Sequence, residues 1–176
     1  AITNNVFTPG ANLDTDPAAI QMTAVDGGVI SGNTASGFTG GRGLGGSNLH
    51  NLDVTGNAFT NNLDAISIFG GSTFIDITAG NNLSNNARYG INIKGQDINI
   101  GGNTLDGNAT AAIFIDTHVI ATEDVSIVGN TYLNTSVGIH VASGEVEITE
   151  TIDGATTAIR VAGGDVTISG SDITNA

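Results

Sequence analysis

The segment Ile98-Asn-Ile-Gly-Gly-Asn-Thr-Leu105 contains the pattern that decides the fold. Two apolar residues stand two positions apart, so their side chains point to the same side of a β-strand. A small residue, usually Gly, then precedes an Asn, and a large apolar residue follows it. The pattern returns about every 20 to 28 residues along the 176-residue chain. The second apolar residue of each copy is Ile2, Ile30, Val54, Ile77, Ile100, Ile127, Ile148 or Ile168.

A second apolar strand follows most copies after a polar turn, as in Ile91-Asn-Ile93 and Ile139-His-Val141. Leu44 takes this place in the second copy, where the glycine-rich stretch 40–46 predicts a loose loop. A unit of roughly 22 residues with two short strands and one very short strand cannot bury its own apolar face. Units must therefore stack, with equivalent strands parallel and about 4.8 Å apart. The sequence predicts an all-β parallel β-helix of about eight rungs, a rung being one turn of the coil.

The repeat resembles that of the right-handed parallel β-helix superfamily, whose best-known members are pectate-lyase-like. The resemblance covers nearly the whole chain through the Gly-Asn and Gly-Ile-x-Val motifs. It implies a single-stranded right-handed coil, with the Gly-Ile-x-Val strand in the first sheet and the Val-x-Ile strand in the second. It also implies an internal ladder of stacked Asn side chains, which both donate and accept hydrogen bonds. The matching residues are Asn5, Asn33, Asn57, Asn81, Asn103 and Asn130, and the pattern lapses at Thr151 and Ser171.

Composition excludes several classes of protein. With 17 Asp and Glu against 4 Lys and Arg, the formal net charge of −13 would repel a nucleic-acid backbone. The absence of Cys excludes a disulfide scaffold and a cysteine metal site. The longest apolar run, 111–115, is too short to span a membrane. Strong acidity with few lysines is typical of bacterial surface and secreted proteins. We therefore expect one extracellular or cell-surface domain over residues 1–176, as a processed mature chain or as part of a longer protein.

The outward positions of the predicted first sheet form one candidate site. In enzymes of the superfamily that the repeat resembles, polysaccharide runs along this face. The resemblance therefore implies substrate contacts from Asn92, Phe114, His140 and Arg160, and catalytic groups among Lys94, Asp116, His140 and Arg160. The alternative is an ordinary solvent-facing sheet with cross-strand charge pairs. The clustered-Asp calcium site of the superfamily's lyases and the Asp-Pro-His motif of its epimerases are both missing.

The turn from the first sheet to the second forms another candidate site. This turn is tight at 94–97, 142–145 and 162–165, and it widens between Asp116 and Asp124. Stacked carboxylates at its exit would repel one another, and Ca²⁺ would relieve the repulsion by taking oxygen ligands. Turn preference with solvent screening explains the same residues without a metal. The candidate ligands of Ca²⁺, the one cofactor that the sequence suggests, are Asp97, Asp124, Glu145 and Asp165.

Two functions from different classes fit the sequence. The first is a structural surface module without catalysis, serving as a spacer, an adhesive or a filament-forming scaffold. Its partners would be polysaccharide or further copies that stack end to end through unpaired strand edges. The second is a lyase, hydrolase or epimerase of acidic polysaccharides, for which the 116–124 turn would wall a groove. Neither hypothesis involves nucleic acid or a membrane span.

Overall fold

The structure is a computed structural model that describes residues 1–10, 16–115 and 123–174. Within these ranges all regular elements are β-strands, and all strand pairs are parallel. The strands are β1 (Ile2–Thr3), β2 (Val6–Phe7), β3 (Ala18–Ser31), β4 (Thr34–Ser36), β5 (Arg42–Thr55), β6 (Ala58–Thr60), β7 (Asp64–Thr78), β8 (Tyr89–Gly101), β9 (Ala111–Ile115), β10 (Glu123–Val128), β11 (Val137–Val141), β12 (Glu145–Thr149), β13 (Thr151–Asp153), β14 (Thr157–Val161), β15 (Asp165–Ile168) and β16 (Asp172–Thr174).

Successive strands wind into a coil with three faces, which confirms the predicted right-handed parallel β-helix. The first sheet consists of the N-terminal halves of β3, β5, β7 and β8 followed by β9, β11 and β14. The second consists of β1, the C-terminal halves of the same four long strands, and then β10, β12 and β15. The third face is narrow, with β2, β4 and β6, single bridges at Asn82, Thr104 and Thr131, and the pair β13 and β16.

The register confirms the alignment of the repeats residue by residue. In the second sheet, Ile100 lies opposite Ile77 on one side and Ile127 on the other. The same register joins all eight repeat positions from Ile2 to Ile168. Each fully buried Ile or Leu in such a column stabilises the fold by about 1.5 to 3 kcal/mol. The first sheet aligns Ile20, Leu44, Ile66, Ile91, Ile113, Ile139 and Ile159 in the same way.

Two local expectations are wrong. The stretch 40–46 is not a loose loop, because β5 begins at Arg42 and Leu44 is fully buried in register with its neighbours. The segment 94–97 does not interrupt β8 as a turn would. Asp97 adopts a left-handed backbone with φ of 52° and bends the strand, while Gln96 and Ile98 keep their partners on β7. A separate turn between the two sheets is present at 142–144 and at 162–164.

The Gly of the Gly-Ile-x-Val motif is required by close packing inside the coil. A Cβ on Gly90 would lie 2.5 Å from Leu105 Cδ2 and 2.7 Å from the carbonyl oxygen of Ala112. A Cβ on Gly138 would likewise lie 2.5 Å from the carbonyl oxygen of Ala158. The space that these glycines leave open is therefore filled by large apolar side chains from the third face.

Gly90→Ala should destabilise the protein by about 1 to 3 kcal/mol, because a methyl group inserted into a packed core forces its neighbours to move. Gly40→Ala is the matched control, since nothing lies within 4 Å of a Cβ there. Urea unfolding measures both free energies. Equal effects of the two substitutions would contradict the packing explanation.

The predicted Asn ladder is present as a continuous chain of hydrogen bonds. Asn57 Oδ1 accepts from the backbone N–H and from Nδ2 of Asn33, both at 3.0 Å. Asn57 Nδ2 in turn donates to Asn81 Oδ1 at 3.0 Å. The same side-chain bond links each rung to the next from Asn5 through Asn33, Asn57, Asn81 and Asn103 to Asn130. The Asn ladder ends after Asn130, as predicted, but the residue in the next slot is Glu150 rather than Thr151, and it accepts from Asn130.

A second Asn ladder runs parallel to the first, five residues later in each rung. The Phe38 N–H donates to Asn62 Oδ1, the Asn62 N–H to Asn86 Oδ1 and the Asn86 N–H to Asn108 Oδ1. All three Asn side chains are buried. This ladder provides acceptors for the backbone N–H groups of the turn after the third face, as the first ladder does for the turn before it.

Asn57→Ala should cost about 2 to 5 kcal/mol, because it leaves two buried donors of Asn33 unsatisfied. Asn82→Ala, an exposed position one rung away, should cost less than about 0.5 kcal/mol. The free energy of unfolding in urea gives both values. A loss of similar size at the two positions would show that the ladder does not hold the rungs.

Candidate binding face on the first sheet

The outward column predicted for the first sheet is a single column in the structure. Gln21, Gly45, Ser67, Asn92, Phe114, His140 and Arg160 lie opposite one another, one residue per rung. Because strands of a sheet stand about 4.8 Å apart, side chains on neighbouring rungs of this column are in contact range. The sheet itself therefore determines which of these groups meet.

Three rings form an aromatic strip on this face, defined as Tyr89, Phe114 and His140. The Tyr89 and Phe114 rings are stacked, with centroids 4.9 Å apart and an interplanar angle of 13°. The Phe114 and His140 rings are tilted by 53°, with centroids 5.0 Å apart. Phe114 and His140 are partners in the register of the sheet, so the strand spacing produces their contact. Tyr89 lies opposite Ala111, three residues before Phe114, and its side chain stacks on the Phe114 ring from there.

A cationic side chain lies at each end of the aromatic strip. The guanidinium carbon of Arg88 is 5.1 Å from the centroid of the Tyr89 ring. At the other end Arg160 is exposed and lies opposite His140. Burial, followed by the charge of Arg160, lowers the pKa of His140 below its ordinary value of 6.5. The imidazole is therefore held in its neutral form at neutral pH, as an aromatic ring with two polar nitrogens.

A buried carboxylate fixes the position of Arg88. Asp64 is fully buried, and it accepts from Arg88 Nη2 at 2.6 Å and from Arg88 Nε at 2.9 Å. It also accepts from Ser67 Oγ at 2.7 Å, and Arg42 Nε lies 4.0 Å away. The hydrogen bonds to Asp64 raise the pKa of Arg88 above its ordinary value. This two-pronged bond leaves the guanidinium one orientation, over Tyr89.

The sequence did not identify Tyr89, Asp64 or Arg88 as parts of this face. A signal was present, because Tyr89 directly precedes the Gly-Ile-x-Ile strand and Asp64 precedes the equivalent strand one rung earlier. Aligning those starting positions places an acid and an aromatic residue side by side, as the register Asp64 to Tyr89 shows.

The predicted site residues separate into two groups. Phe114, His140 and Arg160 come together on the surface. Asn92 and Lys94 are buried, with exposures of 5% and 8%, and no described residue hydrogen-bonds to Asn92 Oδ1. Asp116 lies outside the described residues. The substrate-binding and catalytic roles of all of these residues stay predictions.

The four acidic residues predicted at the bend line up on neighbouring rungs. Glu145 lies opposite Asp165. On two earlier rungs Glu123 lies opposite Gln96, and the residues that follow these two are Asp124 and Asp97. Asp124 and Glu145 line an open depression of about 390 Å³ on the second sheet. Within residues 1–10, 16–115 and 123–174, no three His, Cys, Asp or Glu side chains are grouped in a way that could hold a metal ion.

Residues 1–152 match the model of a protein family described as periplasmic copper-binding protein (NosD). The chain belongs to the NosD family. This is a parallel β-helix family with the pectate-lyase-like fold, which confirms the resemblance drawn from the repeat. The NosD family is bacterial and periplasmic, in agreement with a chain that works outside the cytoplasm. No curated protein and no solved structure matches the chain. Among the described residues no helix is long and apolar enough to cross a membrane.

The described residues of this NosD-family chain do not offer the donor set that copper prefers. Copper in proteins takes imidazole, thiolate and thioether ligands, and the chain has no Cys and one Met. His50 lies on β5, with Nδ1 2.7 Å from Thr73 Oγ1, whereas His140 lies on β11. Four strand spacings, or about 19 Å along the coil, separate those strands. His118 lies outside the described residues.

Arg160→Ala should raise the pKa of His140 toward 6.5 without reaching it, because repulsion is removed while burial remains. Arg160→Lys keeps the positive charge and should leave the pKa lowered. NMR titration of the imidazole C–H signals measures both. A lowered folded-state pKa contributes stability above pH 6.5 that is lost as the pH falls through the folded value. An unchanged His140 pKa in Arg160→Ala would contradict this explanation.

Proposed function

We propose that this chain is a non-catalytic periplasmic or surface β-helix module that binds acidic saccharides on the outer face of its first sheet. The observation that carries the proposal is the aromatic strip with a cation at each end. The C–H bonds on one face of a pyranose ring carry partial positive charge, which complements the negative face of an aromatic ring. Rings repeated at about 5 Å along a rigid coil therefore suit an extended sugar chain better than a small compact ligand.

The distribution of charge supports an acidic ligand. The four Lys and Arg residues of the chain all lie on or beside first-sheet strands, although the net charge is −13. The guanidinium group of Arg88 is paired with Asp64, and that of Arg42 is paired with Asp16. Arg160 is exposed, and no ion pair to it occurs among the described residues, so its guanidinium can take a carboxylate in two-pronged geometry.

Binding without turnover fits the described face better than catalysis does. General acid–base chemistry on a uronate requires two groups of different proton affinity near the scissile bond. His140 supplies one such group, and the column through Phe114 and Arg160 contains no carboxylate among the described residues. Asp64 is fully buried and bonded to Arg88, so it cannot reach a ligand. The enzyme hypothesis depends on Asp116 and is kept as the alternative.

The wider roles follow from the architecture. A rigid solenoid holds its binding face in one orientation over many rungs, as an adhesive or spacer must. End-to-end stacking of copies stays a prediction, as does calcium binding by the acidic residues at the bend. Copper binding, which the family description names, is not proposed for the described residues because their donors do not converge.

Isothermal titration with polygalacturonate, and with neutral dextran for comparison, tests the proposal. The wild-type chain should bind polygalacturonate and should not bind dextran. Phe114→Ala and Arg160→Ala should each weaken binding by about tenfold, which is the loss of one modest contact. Phe74→Ala is the matched control, because Phe74 is 57% exposed next to the acidic second sheet.

Three outcomes would contradict the proposal. The first is no binding to polygalacturonate, and the second is equal weakening by Phe74→Ala and Phe114→Ala. The third is release of reducing or unsaturated ends from the polymer by the wild-type chain. Loss of that release in His140→Ala would establish the enzyme alternative.

A further inference from the structure

The outer face of the second sheet carries an exposed aromatic ring, Phe74, on an unusual backbone conformation. At the bend between the two sheets, one residue per rung has a left-handed backbone, with φ of 53° at Asn51, 55° at Phe74, 52° at Asp97 and 52° at Asp124. Asn and Asp adopt this conformation readily, whereas a bulky residue such as Phe does so rarely and at a cost. Burial does not offset that cost, because Phe74 is 57% exposed. The ring therefore points to a contact with something outside the chain.

Phe74 lies at one end of a groove across the second sheet, which two neighbouring depressions form. The first depression has a volume of about 390 Å³, and its lining residues are Phe74, Asp76, Asp97, Asn99 and Asp124. Asp124 also lines the second depression, of about 390 Å³, which reaches Thr167 on β15. The groove therefore runs from β7 over β8, β10 and β12 to β15, which is four strand spacings or about 19 Å. An extended peptide of about six residues has this length.

The groove is acidic, and no Lys or Arg balances its charge. All four Lys and Arg residues of the chain lie on or beside strands of the first sheet. Asp76 lies opposite Asp53 on the neighbouring strand, an arrangement of like charges that destabilises a sheet. Asn99 Nδ2 donates to Asp76 at 2.6 Å, but no ion pair to Asp97 or Asp124 occurs among the described residues. A cationic partner would therefore complement this face.

The arrangement of the groove favours an extended cation with several charges over a single metal ion. Within the described part of the chain, no three His, Cys, Asp or Glu side chains are grouped in a way that could hold a metal ion. The carboxylates instead follow one another along strands about 4.8 Å apart, so each can meet a different charge of a long ligand. The Phe74 ring adds a preference for arginine, because a guanidinium group stacks on an aromatic face and is more weakly hydrated than an ammonium group.

We propose that the groove on the second sheet binds an extended, arginine-containing basic segment of a partner protein, with one guanidinium group on the Phe74 ring and further positive charges on the row of carboxylates. A second copy of this chain is a poor partner, because Arg42 and Arg88 are already ion-paired and Lys94 is buried. The groove and the aromatic strip lie on different sheets of the coil. The basic segment therefore binds independently of any saccharide on the first sheet.

Isothermal titration of the full chain with hexa-arginine, hexalysine and hexaglutamate at low ionic strength tests the groove. Hexa-arginine should bind more tightly than hexalysine, and hexaglutamate should not bind. Asp97→Asn and Asp124→Asn keep a residue that tolerates the left-handed backbone, and each should weaken both basic peptides by about two- to fivefold. Phe74→Ala should weaken hexa-arginine alone by about two- to fivefold, which is the size of an exposed cation–π contact, and so remove the preference for arginine.

Asp172→Asn is the matched control, because it removes the same charge from β16 on the third face. It should leave the affinity for both basic peptides unchanged. Equal weakening by Asp172→Asn and Asp97→Asn would show a general attraction to the net charge of −13, and it would overturn the proposal. So would an absence of binding to hexa-arginine, or a preference for arginine that persists in Phe74→Ala. Asp97→Asn should bind polygalacturonate like the wild type, so the two binding proposals can fail separately.

Discussion

The structure depends on one constraint: the fixed spacing and register of stacked rungs, held inside the coil by hydrogen bonds between buried Asn side chains. A backbone amide in a turn cannot pair along a strand ladder, and left unpaired in the core it would cost about 1 to 3 kcal/mol. The side-chain oxygens of Asn33, Asn57, Asn81 and Asn130 each accept from the backbone amide of the ladder residue in the preceding rung. Polar bonds thus fix where a turn lies while the Ile and Val columns supply burial. A shift of one residue in the register of a rung would break the Asn hydrogen bonds and expose the Ile and Val side chains at the same time.

The same constraint builds the candidate binding face. Tyr89, Phe114 and His140 belong to three successive rungs, and the paired residues Phe114 and His140 have ring centroids 5.0 Å apart, close to the strand spacing. Asp64 holds the Arg88 guanidinium group over the Tyr89 ring and so fixes the cation at one end of the strip. All three rings lie on strands of the first sheet, so no loop is needed to bring them together. The chain belongs to a periplasmic β-helix family, and all four of its Lys and Arg residues lie on or beside strands of this sheet.

The sequence predicts the fold well and the site in part, for a physical reason. Periodicity identifies columns, so the ladder from Asn5 to Asn130 and the outward column through Phe114 and His140 are readable from spacing alone. Spacing does not show which residue takes over a ladder position when the Asn is missing. Glu150, one residue before the expected Thr151, is recognised only by its hydrogen bonds to Asn130. Nor does spacing show how far a side chain reaches, so the contact of Arg88 with Asp64 and the burial of Asn92 and Lys94 are visible only in the three-dimensional structure.

The central claim is that stacked rungs create a binding face for an acidic saccharide on the first sheet. Chemical-shift mapping by NMR with a short oligogalacturonate tests it most directly, because it reports which residues meet the ligand. We expect the shifts to be concentrated at Tyr89, Phe114, His140 and Arg160, with the second sheet unaffected. Shifts confined to the second sheet around Asp124 and Glu145, or no shifts at saturating ligand, would contradict it.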